Sequence, residues 1–187
     1  MTKLVSVVVG TLALNLVLLA PVSAQTSGSA GASAESMSAA DKSFVNEAAV
    51  GGLAEVELGQ LAKEKGQSEE VKKFGQHMID DHGKANGELK ALAAKKGLTV
   101  PAELDAKHKA LKEKLMKLSG ADFDKQYMRE MVKDHEKDVA AFQKESTAGK
   151  DPELTTWVKQ TLPTLQGHLT MARDAESKVK KGAGKAG

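Results

Sequence analysis

The sequence predicts an all-α domain, and three observations carry that prediction. Apolar residues recur at helical spacing through most of residues 41–180. The chain of 187 residues is 41% hydrophobic but only 3% aromatic, and it is rich in Ala, Leu, Lys and Glu, a composition that favours helices over strands. Gly, Ser and Pro signals punctuate the periodic segments where helices would end. The six aromatics are Phe44, Phe74, Phe123, Tyr127, Phe142 and Trp157, too few for a β-sandwich or a base-stacking surface. The formal net charge of +2 lacks the basic footprint of a nucleic-acid binder. With no cysteine, disulfides, thiolate metal sites and a cysteine nucleophile are excluded.

Residues 1–24 read as a secretory signal peptide. Lys3 forms the charged start, Leu4 to Ala20 is apolar, and Val22-Ser23-Ala24 offers small residues for cleavage after Ala24. An uncleaved anchor is the alternative, but the apolar run is short for a span of ~20 residues. Cleavage removes Lys3 and lowers the formal charge from +2 to +1. The expected location is the periplasm or the outer membrane, with no stable membrane span after cleavage. Residues 25–40, mostly Ser, Ala and Gly, read as a flexible linker. Residues 181–187 read as a disordered tail.

The bundle is predicted over residues 41–180. The first helix spans Asp41 to Lys65, with Gly66 suited to a left-handed cap. Ser68 caps the second, Glu69 and Glu70 complement its dipole, and Gly97 stops it after Lys96. Pro101 opens a shorter helix to Leu118, where Ser119-Gly120 breaks the pattern. The next helix runs from Asp122 to Thr147. Asp151-Pro152-Glu153 opens the last, which carries Pro163 and is expected to kink there. The first two helices share a tight turn, as do the last two, so each pair forms an antiparallel hairpin. The intervening segment of about 20 residues is long enough to travel ~27 Å as helix. Two hairpins joined by one crossover helix is the arrangement of a ferritin-like four-helix bundle. The halves also repeat weakly at an offset of 83: Phe44-x-x-Glu47 resembles Tyr127-x-x-Glu130, Glu55 falls on Asp138, and Glu70-Val71-x-x-Phe74 matches Glu153-Leu154-x-x-Trp157.

Every long helix places a titratable side chain on its apolar face. His82 stands amid Val71, Phe74, Met78 and Leu89; His135 and Asp138 amid Tyr127, Met131 and Phe142; His168 beside Leu165 and Leu169; and Glu55 between Gly52 and Gly59. Burying an unpaired charge costs several kcal/mol, so four converging helices that each carry one form a pattern. The candidate metal ligands are Glu55, His82, His135, Asp138 and His168, a nitrogen and oxygen set suited to zinc, manganese or iron. The alternative is a buried polar network that specifies helix register without metal. His77 lies off the stripe and reads as exposed. His108 reads as a partly exposed packing residue of the crossover helix. Glu47, Asp81, Glu130 and Asp134 flank the faces and read by default as surface charge, with the orientation of imidazoles as the alternative. Glycines within helices each cost about 1 kcal/mol relative to Ala, and close helix approach or room beside a site would account for some of them.

At these residues the sequence resembles the bacterial family called domain of unknown function 4142. The resemblance rests on Gly52-Leu-Ala-Glu-Val-Glu-Leu-Gly-Gln-Leu-Ala62, Phe74-Gly-Gln-His-Met-Ile-Asp-Asp-His82, Phe123-Asp124-x-x-Tyr127 with His135, and Leu162-Pro163-x-Leu165-x-x-His168-Leu169. It implies a ferritin-like fold and an envelope location, since members are commonly exported and some are labelled outer-membrane proteins. It implies no reaction. Di-iron bundles of the ferritin type use Glu-x-x-His on two helices, but Ile79 and Leu165 stand three residues before His82 and His168. A mononuclear, histidine-rich site fits better. The functional expectation is an exported bundle that binds a divalent metal. A metal-free structural or stress-related envelope protein is the alternative, and an oxidative metalloenzyme a more distant one. No catalytic residue is nominated: the sequence contains no Gly-rich phosphate loop, G-x-S-x-G elbow or H-E-x-x-H motif.

Overall fold

The computed structural model describes residues 37–183, so the predicted signal peptide and all but the end of the predicted linker lie outside the described residues. Among the described residues there are five helices and no strand. Helix α1 is Ala39–Lys65. Helix α2 is a continuous run of three parts: α-helical Glu69–His77, a π-helical turn Met78–His82, and α-helical Gly83–Lys95. The crossover helix α3 is Ala106–Met116, α4 is Gly120–Ala148 and α5 is Pro152–Ala183. Helix α1 packs along α2, and α4 packs along α5.

The caps explain the boundaries. Ser38 Oγ accepts from the Asp41 N–H at 3.1 Å, so α1 starts inside the predicted linker, and Met37 before it is buried in the core. Ser68 and Asp151 cap α2 and α5, as their residue types predict. Gly97 takes φ 71°, and Leu98 N–H donates to Ala93 O at 2.9 Å, a Schellman stop. Gly66 departs from expectation. Its φ of −60° is not left-handed, and glycine is needed there for space, since a Cβ would lie 2.5 Å from Ala62 O. Pro101 does not open α3. Asp105 does, because its carboxylate accepts from the His108 N–H at 2.8 Å and outcompetes proline's preset φ. Helix α5 runs unbroken through Pro163 and continues through Lys181 and Gly182 of the predicted tail.

The two hairpins are pinned at both ends by reciprocal carboxylates. Asp124 of α4 accepts from the N–H groups of Gln67 and Ser68, at 2.9 and 2.8 Å, in the α1–α2 turn. Asp41 of α1 accepts from Asp151 N–H at 2.9 Å and Lys150 N–H at 3.1 Å in the α4–α5 turn. These residues obey the offset of 83, as do Gly66 with Gly149 and Ser68 with Asp151, so the weak repeat corresponds to repeated structural parts. Between the clamps lie two apolar cores. One gathers Leu58, Phe74, Met78, Tyr127, Met131 and Ala172; the other gathers Val45, Leu89, Phe142, Leu154, Trp157 and Leu165. Along every long helix, the polar candidate residue falls between its contributions to these two cores.

Two glycines set the approach of α1 to α2. A Cβ on Gly59 would lie 2.6 Å from Gly75 O, and one on Gly75 would lie 2.7 Å from Gly59 O. Gly87 faces open space. We expect Gly75→Ala to destabilise the protein by about 1–3 kcal/mol through overpacking, and Gly87→Ala to stabilise it by roughly 0.5–1 kcal/mol through helix propensity. Asp124→Ala, which strips two backbone donors of a charged acceptor, should cost about 2–4 kcal/mol. Urea unfolding of the three variants checks these signs; equal behaviour of Gly75→Ala and Gly87→Ala would refute the close-approach argument.

Candidate metal centre

The structure brings together three of the five predicted ligands. His82 from the π-turn of α2, His135 from α4 and His168 from α5 each offer a ring nitrogen, all within 4.8 Å of one another. Their ring centroids form a near-equilateral triangle with sides of 5.3, 5.5 and 5.7 Å. All three side chains are buried, His135 completely. Glu55 and Asp138 belong to a neighbouring group instead, where they meet Asp134 with carboxylate oxygens again within 4.8 Å. Glu55 touches the triad's edge, since its Oε1 lies 3.7 Å from His135 Nδ1, beyond hydrogen-bond length.

The hydrogen bonds define which nitrogens are free. His135 Nδ1 lies 2.9 Å from Met131 O. A carbonyl only accepts, so Nδ1 carries the proton and Nε2 holds a lone pair. His168 Nε2 lies 2.8 Å from Asp81 Oδ2 and donates to it, which leaves Nδ1 with the lone pair. His135 Nε2, His168 Nδ1 and His82 Nε2 are buried without a protein partner. Asp81, read by default as a surface charge, thus holds a ring from the opposite hairpin in orientation. The π-turn makes this arrangement accessible. Its wider i→i+5 winding turns successive residues through less than the 100° of an α-helix, so Asp81 and the adjacent His82 both address His168. A sequence reading at 3.6 residues per turn has no signal for it.

Burial keeps the triad neutral, the form in which imidazole binds metal. Desolvation pushes His135 down to about 4 against the pull of the Met131 carbonyl. Desolvation, then the neighbouring His135 and His168, holds His82 well below its ordinary value. His168 is lowered too, chiefly by burial and in spite of Asp81. The carboxylates move the other way. Burial, reinforced by Asp134 and Asp138, raises Glu55 well above the usual range, and burial with Asp134 pushes Asp138 up to about 7. Glu55 has neither oxygen hydrogen-bonded, and the buried Tyr127 hydroxyl is also without a partner. His77 is exposed as expected. His108 is more buried than expected, because its Nδ1 is satisfied by Asp105 at 2.7 Å.

These shifts oppose one another in metal-free protein. Between about pH 4 and 6.5 the unfolded chain binds more protons at the histidines than the folded chain does, so their contribution to stability is lost as pH falls. Asp138, raised to about 7, binds its proton more tightly when folded, so its contribution is lost as pH rises from about 4 towards 7. We expect Asp138→Asn to unmask the histidine slope. Its unfolding free energy in urea with chelator should rise more steeply than wild type from pH 4.5 to pH 6.5, and a flatter profile would contradict the assignment.

Residues 26–175 match the model of the family described as Domain of unknown function (DUF4142), and the chain belongs to that family. No curated protein matches it. Among solved structures it is similar to the DUF305 fragment from Deinococcus radiodurans, with a TM-score of 0.66 at 17% identity, covering 78% of this chain and 99% of that one. It is also similar to CopM in the Cu(II)-bound form, with a TM-score of 0.63 at 18% identity, and in the Ag-bound form obtained by co-crystallisation, with a TM-score of 0.61 at 19% identity; each covers 74% of this chain and 96% of that one. At these identities the likeness establishes a shared helical fold.

Proposed function

We propose that this member of the DUF4142 family is an exported metal-binding bundle that holds one transition-metal ion on His82 Nε2, His135 Nε2 and His168 Nδ1. The observation that carries the reading is that three buried histidines offer ring nitrogens within 4.8 Å of one another and each keeps a buried ring nitrogen without a protein partner. Buried polar atoms are ordinarily satisfied, and a cation satisfies all three at once. Three imidazoles and no thiolate suit copper or zinc better than manganese, and the structural neighbour CopM is copper- or silver-bound. Three protein ligands leave coordination positions for an exchangeable partner, which suits holding or delivering an ion. Two hairpins joined by α3 support the ferritin-like reading of the bundle, and the apolar N-terminal pattern supports export to the periplasm or outer membrane.

Elemental analysis of untagged protein purified from the periplasm should find about one transition metal per chain. His82→Ala/His168→Ala should carry less than a tenth of that. Chelator should lower the Tm of wild type by several degrees, with recovery on adding copper or zinc. Equal metal content in a variant lacking all three histidines would return these residues to a purely structural polar layer.

A further inference from the structure

The second carboxylate group lies outside the triad's function and has features of its own. Glu55 is fully buried, yet neither of its oxygens has a hydrogen-bond partner. Both Asp134 and Asp138 present an oxygen within 4.8 Å of it. Two lysines flank the group: Lys107, whose Nζ lies 3.6 Å from Asp134 on a side chain that is 60% exposed, and Lys137, which lines the adjoining cleft. Asp134 and Asp138 are also reachable from solvent. A cleft of about 260 Å³ beneath α3 is lined by Glu47, Gly51, Lys107, Asp134 and Asp138. Gly51 and Asp138 also line a cavity of about 30 Å³ that reaches His82, large enough for one water or ion. Asp138 therefore borders both the cleft and the small cavity beside His82, with Asp134 on the cleft side and Glu55 buried behind them.

We propose that Glu55, Asp134 and Asp138 form a second cation site, for a hard divalent ion held by carboxylate oxygen, adjoining the histidine triad and opening to the cleft under α3. The donor set decides the ion class. Carboxylate and water suit manganese, magnesium or calcium, whereas imidazole suits copper and zinc. The partition of donors gives the bundle two neighbouring sites of different preference. Apolar residues, Ile79, Val132 and Leu165, stand three before each triad histidine, so the Glu-x-x-His spacing brings no carboxylate to the triad, and the oxygen donors are Glu55 of α1 with Asp134 and Asp138 of α4. Three carboxyl groups this close, beside Lys107 and Lys137, cannot all ionise without repulsion, and an incoming cation displaces their protons and relieves it.

The test is Mn²⁺ titration of the metal-free full chain, followed by the loss of the free-ion EPR signal. Wild type should bind one Mn²⁺ per chain. Asp134→Asn/Asp138→Asn should weaken that binding at least tenfold, as should the near-isosteric Glu55→Gln, with far-UV circular dichroism unchanged in both. His82→Ala/His168→Ala should retain Mn²⁺ binding while losing the transition metal, which separates this site from the triad. Wild-type Mn²⁺ affinity in the folded carboxylate variants, or no binding by wild type at millimolar Mn²⁺, would overturn the proposal. Loss of Mn²⁺ in the histidine variant would also overturn it, by showing one shared site.

Discussion

The middle of this bundle depends on the axial register of its two hairpins, and two aspartates set that register. Asp124 reaches across to the α1–α2 turn and Asp41 to the α4–α5 turn, each accepting from backbone donors that have no partner inside a helix. The clamps sit at opposite ends of the molecule and connect opposite hairpins. Sliding one hairpin against the other would break both at once. With the ends fixed, His82, His135 and His168 have no choice of level, and the triangle of rings follows from helix geometry. Apolar contact alone would not give this precision, because it is non-directional and tolerates small slips.

The offset of 83 shows how an asymmetric site is built within a nearly symmetric frame. The frame parts repeat: clamp with clamp, capping residue with capping residue, Gly66 with Gly149, Phe74 with Trp157. The departures gather at the polar layer. His135 corresponds to Gly52, where the space a side chain would take is held by the Asn86 amide, 2.1 Å from a Cβ placed there, so in the first half an amide stands where the second has a ring. The π-turn occurs in α2, whereas α5 is α-helical throughout. His168 falls three residues beyond the offset from His82. Frame positions are constrained by backbone hydrogen bonding and stay alike; layer positions are constrained by what they hold.

Much of this was legible in the sequence because capping and amphipathicity are local. Ser68, Gly97 and Asp151 mark their boundaries through side-chain and backbone rules that act within one turn. The inward histidines were legible because a titratable group on an apolar stripe is conspicuous. What escaped depends on contacts between distant segments. Asp134 shares its site with Glu55 across two helices, and sequence alone makes it a surface charge. Gly66 looked like a left-handed cap, but its constraint is the space beside Ala62 O and Val71. The division of five candidates into a nitrogen set and an oxygen set also required the fold, since helical periodicity gives a residue's face and depth but not the direction of its side-chain tip.

That division makes α4 the element to which both groups answer. Within a single turn it supplies Asp134 and Asp138 to the carboxylates and His135 to the triad, and Glu55 of α1 stands between them at 3.7 Å from the imidazole. His135 commits its protonated Nδ1 to its own helix carbonyl, on the edge near Glu55, and keeps its bare Nε2 buried without a protein partner. The ring therefore stands as a partition between a nitrogen-lined and an oxygen-lined space. Charge entering the carboxylate side is felt across one ring, in a medium where burial has removed most of the water that would screen it. Two groups this close cannot be electrostatically independent: a cation on the carboxylates would make the triad less basic, and a cation on the triad would hold the carboxylates ionised.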